Sequence, residues 1–208
     1  SIFQDSKMNF WIGTKEEGVC KFDGNTYQYF TTKNGLPHNQ VYQILEDKSG
    51  DIIFKTGAGI YIFNEEEFSS IPFSDHQNST ESSDWNLKKE DFWFSIPKDG
   101  LLRYRNKKLE YFAIPIPQED LKYAEDRKDK PYFYPYSAMK IYKDKEEKLW
   151  IGTFNRGVVE FNGKTFDYHN PDNFGVGTIR SIFQDQEGNY WFGSNGGGLY
   201  KYDGTSYI

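Results

Sequence analysis

A single cysteine, Cys20, stands in this chain of 208 residues. No disulfide can form within it, so stability has to come from packing, and a lone thiol in an apolar segment reads as a small buried strand residue. Long apolar runs are missing as well. Nothing approaches the roughly 18 or more apolar residues of a membrane-crossing helix, and the opening SIFQDSKMNF has no signal-peptide pattern, so the chain as given reads as soluble, without a membrane span. Positive charge is not in excess. The 25 Lys and Arg stand against 31 Asp and Glu, a net charge of -6, and no basic stripe is present to neutralise phosphates. That balance disfavours a nucleic-acid partner.

Chemistry-bearing motifs are equally scarce. The three histidines, His38, His76 and His169, show no His-x-x-x-His spacing, and one cysteine cannot complete a zinc pattern. No G-x-S-x-G elbow occurs, and the Gly-rich SNGGG at 194–198 precedes no helix that would hold a phosphate. The turns DKSGD and DQEGN lack the spaced carboxylates of a calcium loop. These absences lead us to expect no metal and no cofactor.

What the chain does have is aromatic residues, 19% of the total with 16 Tyr and 18 Phe, and internal repetition. SIFQDSKMNFWIGT at 1–14 returns as SIFQDQEGNYWFGS at 181–194, and KIYKDKEEKLWIGT at 140–153 fits the same frame. QILEDKSGDIIFKT at 43–56 is a fourth copy, with Ile53 in place of Trp, and DFWFSI at 91–96 centres a degenerate fifth. Trp11, Ile53, Trp93, Trp150 and Trp191 are the equivalent positions. Their spacings are 42, 40, 57 and 41, so one interval carries an insertion, placed at 115–137. In every copy an aromatic is followed five residues later by the next large apolar residue: Phe22 and Tyr27, Phe63 and Phe68, Tyr104 and Leu109, Phe161 and Phe166, Tyr202 and Tyr207.

Each unit breaks into four short apolar segments separated by turn chemistry. Asp23-Gly24, Asn162-Gly163 and Asp203-Gly204 read as two-residue type I′ hairpin turns, in which both central residues take positive φ. Without helical periodicity, and with short links, consecutive strands should pair antiparallel. Both faces of the third strand are apolar, so each four-stranded sheet needs neighbours on two sides. The fold class expected is therefore all-β, a propeller of five blades of four antiparallel strands in a single domain over 1–208, with blades near 1–40, 41–83, 84–137, 138–178 and 179–208. A closed ring is the simplest arrangement; consecutive blades of a larger ring are the other. In the third copy, Trp85 and Leu87 are assigned to the first strand.

Asp, a short turn, LWIGT or NYWFGS, then a glycine, an apolar run, YDG and NGLPHNQV together resemble the two-component regulator propeller repeat. The resemblance covers nearly all of the chain and is strongest in copies one, four and five. It implies a propeller from the sensor region of bacterial hybrid histidine kinases. It also implies a location outside the cytoplasm, periplasmic or extracellular, with a signal sequence removed. Family sensors have more blades, and the kinase, transmembrane and DNA-binding parts are missing from this chain.

Loops after strands two and four leave at the same strand end, and they hold the irregular sequence. Function on such scaffolds concentrates in loops. The insertion brings Tyr123, Tyr132, Tyr134 and Tyr136, whose flat rings and hydroxyls suit sugar or protein surfaces or, equally, plug the scaffold. His38, Asn39, Lys98, Asn155, Arg156, Arg180 and Asn195 are the polar candidates, each of which also reads as plain surface. The repeated Trp residues read as core, not as a lectin platform. Asp5, Asp47, Asp144 and Asp185 recur from copy to copy, as turn residues do and catalytic carboxylates do not. The expected function is a non-catalytic sensor propeller that binds a small molecule or oligosaccharide. A protein-interaction module is the alternative, and a glycan-active enzyme is a remoter one.

Overall fold

Turn chemistry and strand pairing can be followed residue by residue in a computed structural model, which describes residues 1–74, 85–96, 100–129, 134–170 and 177–208. They form two compact units, Ser1–Phe73 and Ser74–Ile208. In the first unit, β1 (Ile2–Gln4), β2 (Phe10–Gly13), β3 (Val19–Phe22) and β4 (Tyr27–Phe30) form sheet 1. Sheet 2 is β5 (Val41–Glu46), β6 (Ile52–Thr56), β7 (Gly59–Phe63) and β8 (Phe68–Ser70). The second unit holds sheet 3, of β9 (Phe92–Ser95), β10 (Gly100–Arg105) and β11 (Lys108–Ala113), and sheet 4, of β12 (Ala138–Lys143), β13 (Leu149–Thr153), β14 (Val158–Phe161) and β15 (Phe166–His169). Sheet 5 is β16 (Thr178–Gln184), β17 (Tyr190–Asn195) and β18 (Gly198–Tyr202). All are antiparallel meanders, the blades of a β-propeller. The aromatic pairs spaced by five are cross-strand partners in every sheet: Phe22 faces Tyr27, Phe63 Phe68, Tyr104 Leu109, Phe161 Phe166 and Tyr202 Tyr207.

Two sheets fall short of four strands among the described residues. In sheet 5 the last segment is reduced to a bridge between Tyr202 and Tyr207. In sheet 3, Trp85 and Leu87 lie outside any strand. The Trp85 carbonyl accepts a hydrogen bond from Arg103 Nη1 at 3.2 Å, and its indole is fully buried against Phe161 and Phe166 of sheet 4. Its backbone serves a guanidinium where the other copies extend a ladder.

The Asp-Gly and Asn-Gly turns also differ from the type I′ expectation. Phe22 pairs with Tyr27 across four residues, and only Gly24 of the Asp23-Gly24 pair takes positive φ, 97°. Asp23 acts instead as a cap: its carboxylate accepts from the amides of Asn25 and Thr26 at 2.8 and 2.7 Å, which holds its pKa down at about 2. A two-residue turn does occur in the degenerate copy, where Asn106 and Lys107, at φ 51° and 59°, join the paired Arg105 and Lys108.

The recurring Asp is the main local organiser. Asp5 Oδ1 accepts from the amides of Lys7 and Asn9, while Oδ2 accepts from Trp11 Nε1 at 2.7 Å. Asp144 and Trp150 repeat the contact at 2.8 Å, and Asp185 and Trp191 at 2.9 Å. One carboxylate thus closes the turn between strands one and two and fixes the indole of strand two. Asp47, whose partner position is Ile53, keeps the backbone half, accepting from Ser49 and Asp51 amides. Trp11 and Trp150 are buried as expected, and Trp191 is half-buried.

Trp11 and Trp150 each pack on the next sheet. Trp11 meets Phe54 and Phe63 of sheet 2 at 5.6 and 6.1 Å, and Trp150 meets Tyr190 and Phe192 of sheet 5 at 4.0 and 5.8 Å. On the opposite face of sheet 1, Ile2, Phe10, Ile12, Tyr27 and Tyr29 are exposed side chains, and Cys20, read above as a buried strand residue, is half-buried among them. On sheet 5, Phe183 and Leu199 are 61% and 62% exposed.

Candidate functional site

A Thr-x-x-x-Gly loop follows strand two in sheets 1 and 4 and is built the same way in both. Thr153 Oγ1 accepts from the Arg156 amide and donates to the Gly157 carbonyl, each at 2.9 Å. Gly157 takes φ 63°, and a Cβ there would come within 2.1 Å of the His169 carbonyl oxygen. Thr14 and Gly18 reproduce these contacts. The two residues before the glycine are therefore displayed on a rigid turn: Asn155 and Arg156 in sheet 4.

The insertion folds against this display. A 3-10 turn, Gln118–Asp120, runs into a short helix, α1 (Leu121–Glu125), whose spacing brings Tyr123 and Arg127 to one side. The Arg127 and Arg156 guanidinium carbons lie 3.6 and 3.9 Å from the Tyr123 ring centroid. Two guanidinium groups at such distances cannot share one ring face, so the phenol is sandwiched between them. Asn155 Nδ2 donates to the Tyr123 hydroxyl at 3.0 Å, and the Asn155 amide donates to the Pro135 carbonyl at 3.3 Å. Arg156 Nε lies 2.8 Å from Asp120 Oδ2, the atom to which the Tyr136 hydroxyl donates at 2.6 Å. Burial, reinforced by that bond to Asp120, pushes the Tyr136 hydroxyl far above the usual phenol range.

Of the sequence candidates, half-buried Tyr123, Asn155 and Arg156 and fully buried Tyr136 thus form one cluster. Tyr134 is buried in the adjoining core with Ala124, Tyr136, Trp85 and Phe161. The insertion is therefore part of a core as well as a surface. Arg180 and Asn195 are exposed on sheet 5. Arg180 lies at a register shift between Ile179 and Ser181, and Asn195 pairs with Thr178. His38 and Asn39 belong to the other unit and serve their own loop: His38 Nδ1 accepts from the Gln40 amide, and Asn39 Oδ1 from the Thr32 amide, both at 2.9 Å. Lys98 and Tyr132 lie outside the described residues. Sequence reasoning missed Asp120 and Arg127. The i, i+4 spacing of Tyr123 and Arg127 was an available signal; nothing local marked Asp120.

A second polar cluster joins sheets 4 and 5. Glu160 lies 2.8 Å from Lys148 Nζ and 3.1 Å from His169 Nε2, and His169 Nδ1 meets the Tyr207 hydroxyl. Burial alone would raise the Glu160 carboxyl, but hydrogen bonds from His169 and Lys148 outweigh it and hold the pKa below the usual value. Each group is satisfied by the next, and Trp150 stacks on the imidazole. The arrangement ties the chain's last tyrosine to sheet 4. Among the described residues no group of three or more His, Cys, Asp and Glu could hold a metal ion, and no helix is long and apolar enough to cross a membrane.

Residues 173–196, the link into sheet 5 with its first two strands, match the model of the two component regulator propeller family. Solved structures resemble nearly the whole chain. One is the extracellular domain of a putative one component system from B. thetaiotaomicron, 19% identical with a TM-score of 0.65 over 93% of this chain and 26% of that one. Virginiamycin B lyase from Staphylococcus aureus is 13% identical with a TM-score of 0.67, covering 100% of this chain and 67% of the lyase. PorZ, a surface component of the type-IX secretion system of Porphyromonas gingivalis, is 14% identical with a TM-score of 0.62, covering 97% and 32%. The chain spans about a quarter of the extracellular domain it resembles. No curated protein matches it. At these identities the likeness is one of fold, and it reaches a putative one component system, a lyase and a secretion-system component alike.

Proposed function

We propose that this chain, whose sheets are propeller blades carrying a two component regulator propeller repeat, is a non-catalytic, extracytoplasmic sensor propeller that binds glycan fragments at the insertion. The match over residues 173–196 and the likeness to an extracellular sensor domain support the sensor reading. The observation that carries the site is the half-buried Tyr123 ring holding Arg127 and Arg156 in fixed positions beside Asn155. Stacking a sugar on Tyr123 is not the mode, because both ring faces are taken. Recognition runs through preorganised N–H donors meeting sugar hydroxyls or carboxylates. The recurring carboxylates are spent on turns and indoles, which supports the non-catalytic reading.

Calorimetric titration of the whole chain with neutral and acidic oligosaccharides tests this. One saccharide class should bind, and Arg127→Ala and Arg156→Ala should each weaken it about tenfold or more, the loss expected for a charged hydrogen bond. Deleting 115–137 is a poor test, since Ala124, Tyr134 and Tyr136 would leave the core. Failure of every saccharide to bind the folded protein, or equal binding to both variants, would remove the glycan claim. A protein-docking role is the second reading, favoured by the same paired guanidinium groups of Arg127 and Arg156, which would equally meet carboxylates on a protein surface.

A further inference from the structure

The two guanidinium groups on Tyr123 stand at similar distances from the ring, but their charges are balanced differently. Arg156 is neutralised: its Nε lies 2.8 Å from Asp120 Oδ2, with the two side chains 20% and 21% exposed. Its Nη1 also donates to the Asn155 carbonyl at 3.4 Å. Arg127 is held in place without being neutralised. Its Nη1 donates to the Tyr123 carbonyl at 3.2 Å, and its guanidinium lies on the ring. Among the described residues no carboxylate pairs with it; Glu125, on the same short helix, pairs with Lys128 instead. Carboxylates are not scarce in a chain with 31 Asp and Glu against 25 Lys and Arg, yet none of those described is spent here. Two cations and one carboxylate leave the contacts around Tyr123 with one positive charge in excess.

That charge is permanent, because a guanidinium does not give up its proton in a protein. The remaining N–H groups of Arg127 lie in one plane, the fork that a carboxylate accepts with two parallel bonds. Ring and carbonyl contacts fix the fork before any ligand arrives, which lowers the cost of ordering it on binding. Arg156 has hydrogen bonds to offer but no uncompensated charge. Arg127 has both.

Taking the insertion as a saccharide site, as proposed above, we infer that its ligand is acidic: a short oligosaccharide containing a uronic acid whose carboxylate is held by Arg127, while Arg156 meets its hydroxyls. Arg127 selects the class of sugar, and Arg156 adds affinity for any member of it.

Calorimetry on the whole chain tests this with di- to tetrasaccharides of galacturonic, glucuronic and mannuronic acid, alongside neutral oligosaccharides. Each acid is set against its own methyl ester, which keeps every hydroxyl and loses the charge. One acid should bind about tenfold or more tightly than its ester, the difference a charged hydrogen bond supplies. Rising salt should weaken the acid and leave the ester unmoved. Arg127→Gln, with native tryptophan fluorescence, should bring the acid down to the level of the ester. Arg156→Gln should weaken both by a similar factor and keep the preference. Should Arg127→Gln fail to fold, the ratio of acid to ester on the wild-type chain, with its salt dependence, decides alone. A neutral saccharide or an ester that binds as tightly as the acid overturns the inference and leaves the glycan reading in place. A preference for acid that survives Arg127→Gln overturns the assignment to Arg127. Binding of no saccharide at all is a separate outcome, which removes the glycan reading and the acidic ligand with it.

Discussion

Sheets 3 and 4 lie side by side in one unit and have Trp at the same repeat position, yet they hold it by different means. In sheet 4, Asp144 closes the turn and accepts from both Trp150 Nε1 and the Tyr190 hydroxyl, at 2.8 and 2.6 Å. In sheet 3 the position six residues before Trp93 is Leu87, and Trp93 Nε1 has no hydrogen-bond partner among the described residues. Trp93 instead stacks on Trp85 at 5.5 Å. Ion pairs take over what the turn carboxylate does elsewhere. Arg105 grips Asp91 with two bonds of 2.6 and 2.5 Å, and Arg103 reaches Glu110 at 2.7 Å. A repeat can lose its organising residue when a buried charge network replaces it, and the replacement is costly to disturb.

The largest effect should therefore come from Arg105→Ala. It leaves the Asp91 side chain, which is 0% exposed, with its charge unpaired and only the Lys88 amide bonded to it, and breaking a buried pair from one side costs about 3–5 kcal/mol. Denaturant unfolding should show a fall of that size. Replacing both residues, Arg105→Met with Asp91→Leu, should cost clearly less than Arg105→Ala, which would separate a stranded charge from lost packing.

Asp144→Ala comes next. It leaves Trp150 Nε1 and the Tyr190 hydroxyl without their shared acceptor, and each unsatisfied buried donor costs about 1–3 kcal/mol. Asp185→Ala should cost less, because Trp191 is half-buried and water can replace the carboxylate. Equal losses at the two sites would show that the turn, and not the indole, is what the carboxylate serves.

How far these differences were legible beforehand depends on what each residue answers to. The Asp to Trp spacing and the cross-strand aromatics are local and periodic, so copies one, four and five declared themselves, and Asp5, Asp144 and Asp185 read correctly as structural. The Asp23-Gly24 turn misread because glycine signals positive φ without saying how many residues the turn has; the capping carboxylate decided that. Sheet 3 was obscure because Arg103, Arg105, Asp91 and Glu110 pair across strands and loops, which no repeat comparison displays. The candidate cluster was half legible for the same reason. Loop position pointed to Tyr123, Asn155 and Arg156, whereas the role of Asp120 exists only once the insertion folds back to set its carboxylate 2.8 Å from Arg156 and within reach of Tyr136.

Exchanging each indole for a phenyl ring sharpens the comparison at smaller scale. Trp150→Phe removes the bond to the Asp144 carboxylate and should cost about 1.5–3 kcal/mol, the range for a hydrogen bond to a charged group. Trp93→Phe loses stacking area but also removes a buried N–H with no acceptor, and the two terms oppose. Its net cost should stay within about 1 kcal/mol. Thermal unfolding of the pair, read against wild type, would reverse the assignment if Trp93→Phe proved the more damaging.

The smallest effect is in acid, and its direction follows from the same carboxylate. The hydrogen bond from Trp191, with those from Asn189, holds the Asp185 pKa at about 2, below the value near 4 that an unfolded chain gives. A carboxyl that binds protons less readily when folded stabilises the native state in full above about pH 4, and that contribution drains away as pH falls toward 2. Asp5 is shifted the same way: burial works against its charged form, and bonds from Trp11 and Asn9 more than offset it. Asp185→Asn should therefore flatten part of the acid limb of stability while changing little near neutrality, because the amide can still accept from Trp191. The Asp185 side chain is exposed enough for solvent to share the work, so the flattening there should be slight, and Asp5→Asn should act in the same direction. A full acid limb in both variants would mean that the sheets with the Asp to Trp bond are no more acid-sensitive than sheet 3, and the contrast between the two designs would then lie in packing alone.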